Sequence, residues 1–138
     1  MCWETNKIPI RNIATKNIIC YKIFHKNDVI FSNKKFLGTF YKKKICYLIS
    51  LWRKYTYIPY KINPKININC LEEDSAFGSI WCINEGYHSY KTLNITKKIS
   101  KSYYYTVKCI IPKNSVYYIN NKNEIVSSAI IITDKVIN

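Results

Sequence analysis

Three short stretches carry the residue types that chemistry needs. Tyr21-Lys22 offers a ring and a cation. Tyr87-His88-Ser89-Tyr90, just after Gly86, offers aromatic rings, an imidazole and a hydroxyl. Glu124 offers a carboxylate where the last apolar run begins. A cation can hold a pyrophosphate and a flat ring can stack on a nucleobase or nicotinamide. A carboxylate can polarise a ribose hydroxyl and stabilise oxocarbenium-like charge. A structural alternative stands beside each role. Lys22 can snorkel from a sheet edge, His88 and Ser89 can satisfy nearby backbone groups, and Glu124 can border a polar turn.

Other constellations are weak. No Walker loop, GxGxxG, HExxH or GxSxG pattern occurs, and the three glycines leave no phosphate-cradling loop. The run Glu72-Glu73-Asp74 has the character of a helix start, where carboxylates meet the positive end of the dipole. Six cysteines, at positions 2, 20, 46, 70, 82 and 109, show no CxxC pair and no clustering with His25 or His88, so no metal site is expected. Cys20, Cys46 and Cys109 lie inside apolar runs and read as small buried hydrophobes.

The length of 138 residues suits one domain over 1–138, with 1–16 as an irregular lead-in. No run approaches a membrane span, and the first residues lack a signal-peptide pattern, so an intracellular location and no membrane partner are expected. The net charge of +14 invites a polyanionic partner. Its make-up tempers that reading, because 20 of the 22 basic residues are Lys and only Arg11 and Arg53 carry the guanidinium fork. Lys, Ile, Asn and Tyr fill about half the chain, as an AT-rich coding sequence would produce. Residues 1–70 hold 14 basic and 2 acidic side chains, against 8 and 6 in the remainder. Lys42, Lys43, Lys44, Arg53 and Lys54 are therefore the candidate nucleic-acid contacts, with Tyr55, Tyr57 and Tyr60 nearby for base stacking. A solvated charge run and tyrosines at a core margin explain the same residues.

These side chains need elements to position them. Asn17 to Phe24 alternates as a strand, and Lys22 shares its face with Ile18, Cys20 and Phe24. Short strands follow at 28–33 and 36–41. Residues 45–55 fit a strand better than a helix, and 56–69 reads as an extended, proline-marked connection. Leu71 to Asn84 reads as a helix stopped by Gly86, Tyr87 to Tyr90 as a short strand, and Thr92 to Ser102 as a second helix. The stretch from Tyr103 to Ile132 supplies the sheet's scaffold. Tyr105, Val107, Cys109 and Ile111 alternate on one face, and Glu124 to Thr133 reads as one central strand covered on both sides. The expected class is α+β, a twisted, mostly antiparallel sheet with one or two helices in the middle.

The succession CYKIF, EGYHSYKT and VKCIIPKNSVYYINNKNEIVSSAIII resembles a group of small uncharacterised proteins of phages and mobile elements. Those proteins share a CYK strand, a G-[FY]-H-S motif and a KCIIPKGSxYY…EIVS segment. The likeness spans about residues 17–28 and 84–134. The same layout is distantly similar to ADP-ribosyltransferases. That resemblance implies a viral or mobile-element accessory protein binding NAD or a related nucleotide, with ADP-ribosyl transfer as its activity. It assigns the dinucleotide-holding role to Lys22, the ribose-supporting role to Ser89 or Tyr90, and the catalytic role to Glu124, with Tyr87 and His88 lining the cleft. Lys22 stands where that superfamily has Arg or His. Lys122 stands two residues before Glu124, and Tyr90-Lys91 replaces Thr-Ser. The competing expectation is a non-catalytic basic module binding nucleic acid or an acidic host protein.

Overall fold

The computed structural model describes residues 3–25, 29–32, 35–39, 66–75, 78–83, 85–94 and 103–137. They form twelve strands: β1 (Trp3–Thr5), β2 (Asn12–Ile13), β3 (Ile18–His25), β4 (Val29–Ser32), β5 (Lys35–Thr39), β6 (Leu71–Ser75), β7 (Gly78–Ile83), β8 (Tyr87–Tyr90), β9 (Tyr104–Ile111), β10 (Val116–Ile119), β11 (Glu124–Ser127) and β12 (Ile131–Val136). Seven make one antiparallel sheet in the order β12-β9-β3-β8-β11-β10-β2. A three-stranded sheet, β1-β7-β6, and a β4-β5 hairpin complete the described structure.

The α+β expectation is overturned, because the described residues contain strands and no helix. Leu71–Ser75 and Gly78–Ile83 pair antiparallel, from Leu71 opposite Cys82 to Ser75 opposite Gly78. Gly78, at φ 112°, breaks the helical path there. Glu72, Glu73 and Asp74 are exposed along β6, where charge discourages pairing with another chain. They were compatible with a helix start only while the chain was read locally. Gly86 turns β7 into β8 instead of ending a helix. Of the second expected helix, the described part, 92–94, forms bends and a turn. The lead-in also holds strands: β1 pairs with β7 and β2 with β10. The expected strand at 45–55, the connection through 65, the helix at 95–102 and the basic cluster Lys42, Lys43, Lys44, Arg53 and Lys54 lie outside the described residues.

One correction concerns the scaffold itself. Glu124 to Thr133 is not a single strand. It breaks after Ser127, and the two pieces lie on opposite sides of the β9-β3-β8 centre, β11 inside the sheet and β12 at its edge. Ser128 fixes the break. Its N–H donates to the Val116 carbonyl, its hydroxyl accepts from the Val116 N–H, and its carbonyl accepts from Ile66 N–H. A buried polar backbone is thereby satisfied where the ladder stops.

The first core lies on one face of the large sheet. Cys20, Phe24, Tyr87, Val107, Cys109, Ile111, Ile125, Ile130 and Ile132 are buried together there. On the opposite face, at the β11–β10 end, Val126 and Tyr118 pack with Trp3 of β1 and Ile83 of β7. Gly86 closes this second contact. At φ 135°, any added Cβ would overlap Val126 Cγ1 and lie 2.9 Å from Ile68 Cγ2. Gly86→Ala is therefore expected to destabilise the protein by about 2–4 kcal/mol, read as a drop in the urea midpoint. An unchanged midpoint would show that the turn relaxes freely.

Candidate functional site

The strands bearing the three sequence motifs are neighbours. β3 carries Tyr21 and Lys22, β8 carries His88, Ser89 and Tyr90, and β11 carries Glu124, in the order β3-β8-β11. Pairing decides which side chains meet, because residues directly opposite in a ladder share a face and successive residues do not. Ser89 is opposite Ile125, and Tyr90 is opposite both Tyr21 and Glu124. Lys22, Tyr87 and Ser89 consequently lie on the core face. Tyr21, His88, Tyr90 and Glu124 lie on the other. The structure thus separates Lys22 and Ser89 from Glu124 by the thickness of the sheet.

Lys22 is 3% exposed. Its ammonium donates a 2.8 Å hydrogen bond to the His88 carbonyl and lies 5.7 Å from the centre of the Phe24 ring. Burial pushes its pKa down to about 8, a shift opposed by the nearby Cys109 and Cys20 thiols. Burial likewise pushes the Cys20 thiol up to about 11, against the Ser89 hydroxyl and the Lys22 charge. Cys109 is raised still further, by burial and then by Cys20. The buried Ser89 hydroxyl sits outside good hydrogen-bond geometry, although its contact with Cys20 still favours the thiolate. Lys22 therefore holds β8 to β3 from inside the core.

The opposite face is organised as a row across four adjacent strands. Lys108 of β9 is opposite Tyr21 of β3, Tyr21 is opposite Tyr90 of β8, and Tyr90 is opposite Glu124 of β11. All four side chains are half-buried. Burial raises the Tyr90 phenol's pKa and the Glu124 charge raises it further, so the phenol senses the carboxylate. Further along β3 and β9 on this face, beyond Ile23 and the buried Thr106, the His25 and Tyr104 rings meet edge to face, with centres 5.3 Å apart. Ile19, 51% exposed, marks the open end of this face. Lys108 and Tyr104 escaped the sequence reading. Their alternation was visible, but the alignment of Lys108 with Tyr21 and of Tyr104 with His25 depends on the β3–β9 register.

Glu124 is held by its own turn. Asn120 Nδ2 donates to Glu124 Oε1 at 2.9 Å and to the Glu4 carbonyl at 3.0 Å. Asn120 Oδ1 accepts from the Lys122 and Glu124 N–H groups. Trp3 Nε1 donates to the Glu124 carbonyl at 2.8 Å, and Asn123 takes a positive φ of 59° to close the turn. The carboxylate is thereby fixed at the end of the row. A separate groove of about 290 Å³, lined by Arg11, Ile66, Asn67, Ile68, Asn69, Val116 and Ser128, shares no residue with it. Among the described residues, no group of three or more His, Cys, Asp or Glu could hold a metal. No helix there is long and apolar enough to cross a membrane.

The buried cluster predicts a pH profile. Between about 8 and 10.5 the unfolded chain keeps the Lys22 proton that the folded chain has lost, so Lys22 makes stability rise with pH. From about pH 8 upward Cys20 and Cys109 act oppositely, since the folded protein keeps thiol protons that the unfolded chain releases. The urea-derived stability is expected to climb by roughly half a kcal/mol between pH 7.5 and 9 and then fall. Lys22→Met should remove the climb. A wild-type profile flat up to pH 9 would contradict the buried charge.

Asn120→Ala leaves two part-buried donors and two acceptors at the turn without this partner and should cost about 2–3 kcal/mol, again measured by urea unfolding. A cost below about 0.5 kcal/mol would mean water replaces the amide. No protein-family model, curated protein or solved structure matches the chain.

Proposed function

We propose that the protein binds a nucleotide or dinucleotide, NAD or a relative of it, on the open face of the β9-β3-β8-β11 strands. The observation that carries this reading is the Lys108–Tyr21–Tyr90–Glu124 row, with Tyr90 and Glu124 electrostatically coupled. The parts suit the ligand. Tyr21 and Tyr90 offer aromatic area for a base or nicotinamide, Lys108 offers a cation for phosphate, and Glu124 accepts from a ribose hydroxyl. The reading keeps the likeness to ADP-ribosyltransferases but redistributes its roles. Tyr90 takes the ribose-supporting position, and Lys22 and Ser89 support the strands from behind. Glu124 is the group that would stabilise oxocarbenium-like charge in ADP-ribosyl transfer, and the likeness to phage and mobile-element proteins makes an accessory role the matching context.

A thermal-shift panel of NAD, ADP-ribose and mononucleotides, followed by calorimetry, tests the reading. One ligand should raise the melting temperature, and Tyr90→Ala should weaken it about 5- to 100-fold, the range expected for one lost stacking contact. Glu124→Gln should leave binding within a few fold while abolishing any NAD consumption. Flat melting temperatures across the panel would sink the proposal. Retention of single-stranded polynucleotide that falls steeply with salt would instead favour the basic nucleic-acid module, since stacked tyrosines beside a lysine serve that ligand too.

A further inference from the structure

The cluster left unused by the nucleotide reading is the buried pair Cys20 and Cys109. The two are direct register partners in the β3–β9 ladder and lie on the same face. Both are free thiols and fully buried. Facing residues in an antiparallel ladder have Cα atoms about 4.5 or 5.5 Å apart, and a disulfide spans about 4.4–6.8 Å between Cα atoms. Either kind of pair therefore meets the backbone requirement without moving a strand. Consistent with that placement, Cys20 is among the causes that raise the Cys109 thiol's pKa, after burial.

We infer that Cys20 and Cys109 are a latent cross-strand disulfide, formed when the protein meets a peroxide. One thiolate attacks an oxygen of hydrogen peroxide, the O–O bond breaks, and a sulfenic acid and hydroxide result, the hydroxide taking the proton that the thiol released to become water. The second thiol then attacks that sulfur, the S–O bond breaks, a second water leaves and the S–S bond closes. One peroxide is reduced and two thiols are oxidised. Burial and raised pKa values make the first step slow, because only opening of the β3–β9 region supplies thiolate. The partner thiol stands opposite, so the sulfenic acid is resolved within the molecule before further oxidation. The crosslink would tie together the strands that carry Tyr21 and Lys108 on the other face, and the inference stands without the nucleotide reading.

The test is peroxide treatment of the native protein, with and without sub-denaturing urea, followed by blocking of remaining thiols and non-reducing peptide mapping. The expected product is one linked peptide pair joining Cys20 to Cys109, lighter by two hydrogens, reversed by dithiothreitol. It should appear more slowly than oxidation of the partly exposed Cys70 and faster when urea is added. The oxidised protein should unfold at higher urea than the reduced one. Cys109→Ser should abolish the linked peptide and leave Cys20 uncrosslinked. Recovery of both residues as thiols, or as separate sulfinic acids, after Cys70 is fully oxidised in urea would overturn the inference. Equal crosslinking of Cys20 to another cysteine in Cys109→Ser would overturn it as well.

Discussion

The eight-residue ladder between β3 and β9 is the constraint from which the rest follows. It pairs Ile18 with Ile111 and runs without a break to His25 opposite Tyr104. An unbroken ladder leaves no freedom in which side chains share a face. Cys20, Lys22 and Phe24 must join Val107, Cys109 and Ile111 in the core, and Tyr21 must then stand beside Lys108 outside it. Each further strand inherits this parity through its own pairing. Tyr90 follows Tyr21, and Glu124 follows Tyr90. A one-residue slip between β3 and β9 would place Lys108 in the core and disassemble both faces together.

Within that frame Lys22 is the costly element. A lysine ammonium out of water loses several kcal/mol of solvation, which the His88 carbonyl at 2.8 Å and the nearby ring face offset in part. The depressed pKa is the visible residue of the imbalance. The position of the contact accounts for its use. β3 and β8 share one register pair, Tyr21 with Tyr90, whereas β3 and β9 share eight. The Lys22–His88 bond reinforces the weakest seam in the middle of the sheet, directly behind the two tyrosines. An apolar residue there would pack more cheaply but would leave the His88 carbonyl without this donor.

Alternation within a strand was readable from the sequence. It located β3, β8 and β9 and placed Lys22 among apolar neighbours, but the snorkelling from a sheet edge that it suggested gives way to burial on a central strand. Parity between strands was not readable, since it depends on registers that no local pattern encodes. Aligning Lys22, Ser89 and Glu124 by resemblance ignored that each strand's register adds its own odd or even step. The failure at Leu71–Ser75 has a different origin. Three adjacent acids before an apolar stripe satisfy both a helix N-terminus and a charged edge strand, and only pairing with Gly78–Ile83 distinguishes them. The split of Glu124 to Thr133 was hidden for a third reason. Ser127 and Ser128 are small enough to continue a strand, and the break comes from distant partners, Val116 and Ile66.

The Asn120 turn bears on whether Glu124 is a structural or a chemical residue. If closing the turn were its whole purpose, the backbone of residue 124 would suffice, because Asn120 Oδ1 and Trp3 Nε1 both bind main-chain atoms there. The carboxylate takes one further bond, from an amide that also holds Glu4. That arrangement fixes one oxygen and aims the group along the row toward Tyr90, whose phenol registers its charge. A carboxylate needed only for solubility would gain nothing from being immobilised, since ordering a side chain costs entropy. The same hydrogen bonds that anchor β1 to the large sheet therefore also hold the Glu124 carboxylate beside Tyr90, and the anchoring and the proposed ligand contact cannot be separated by mutating Asn120 alone.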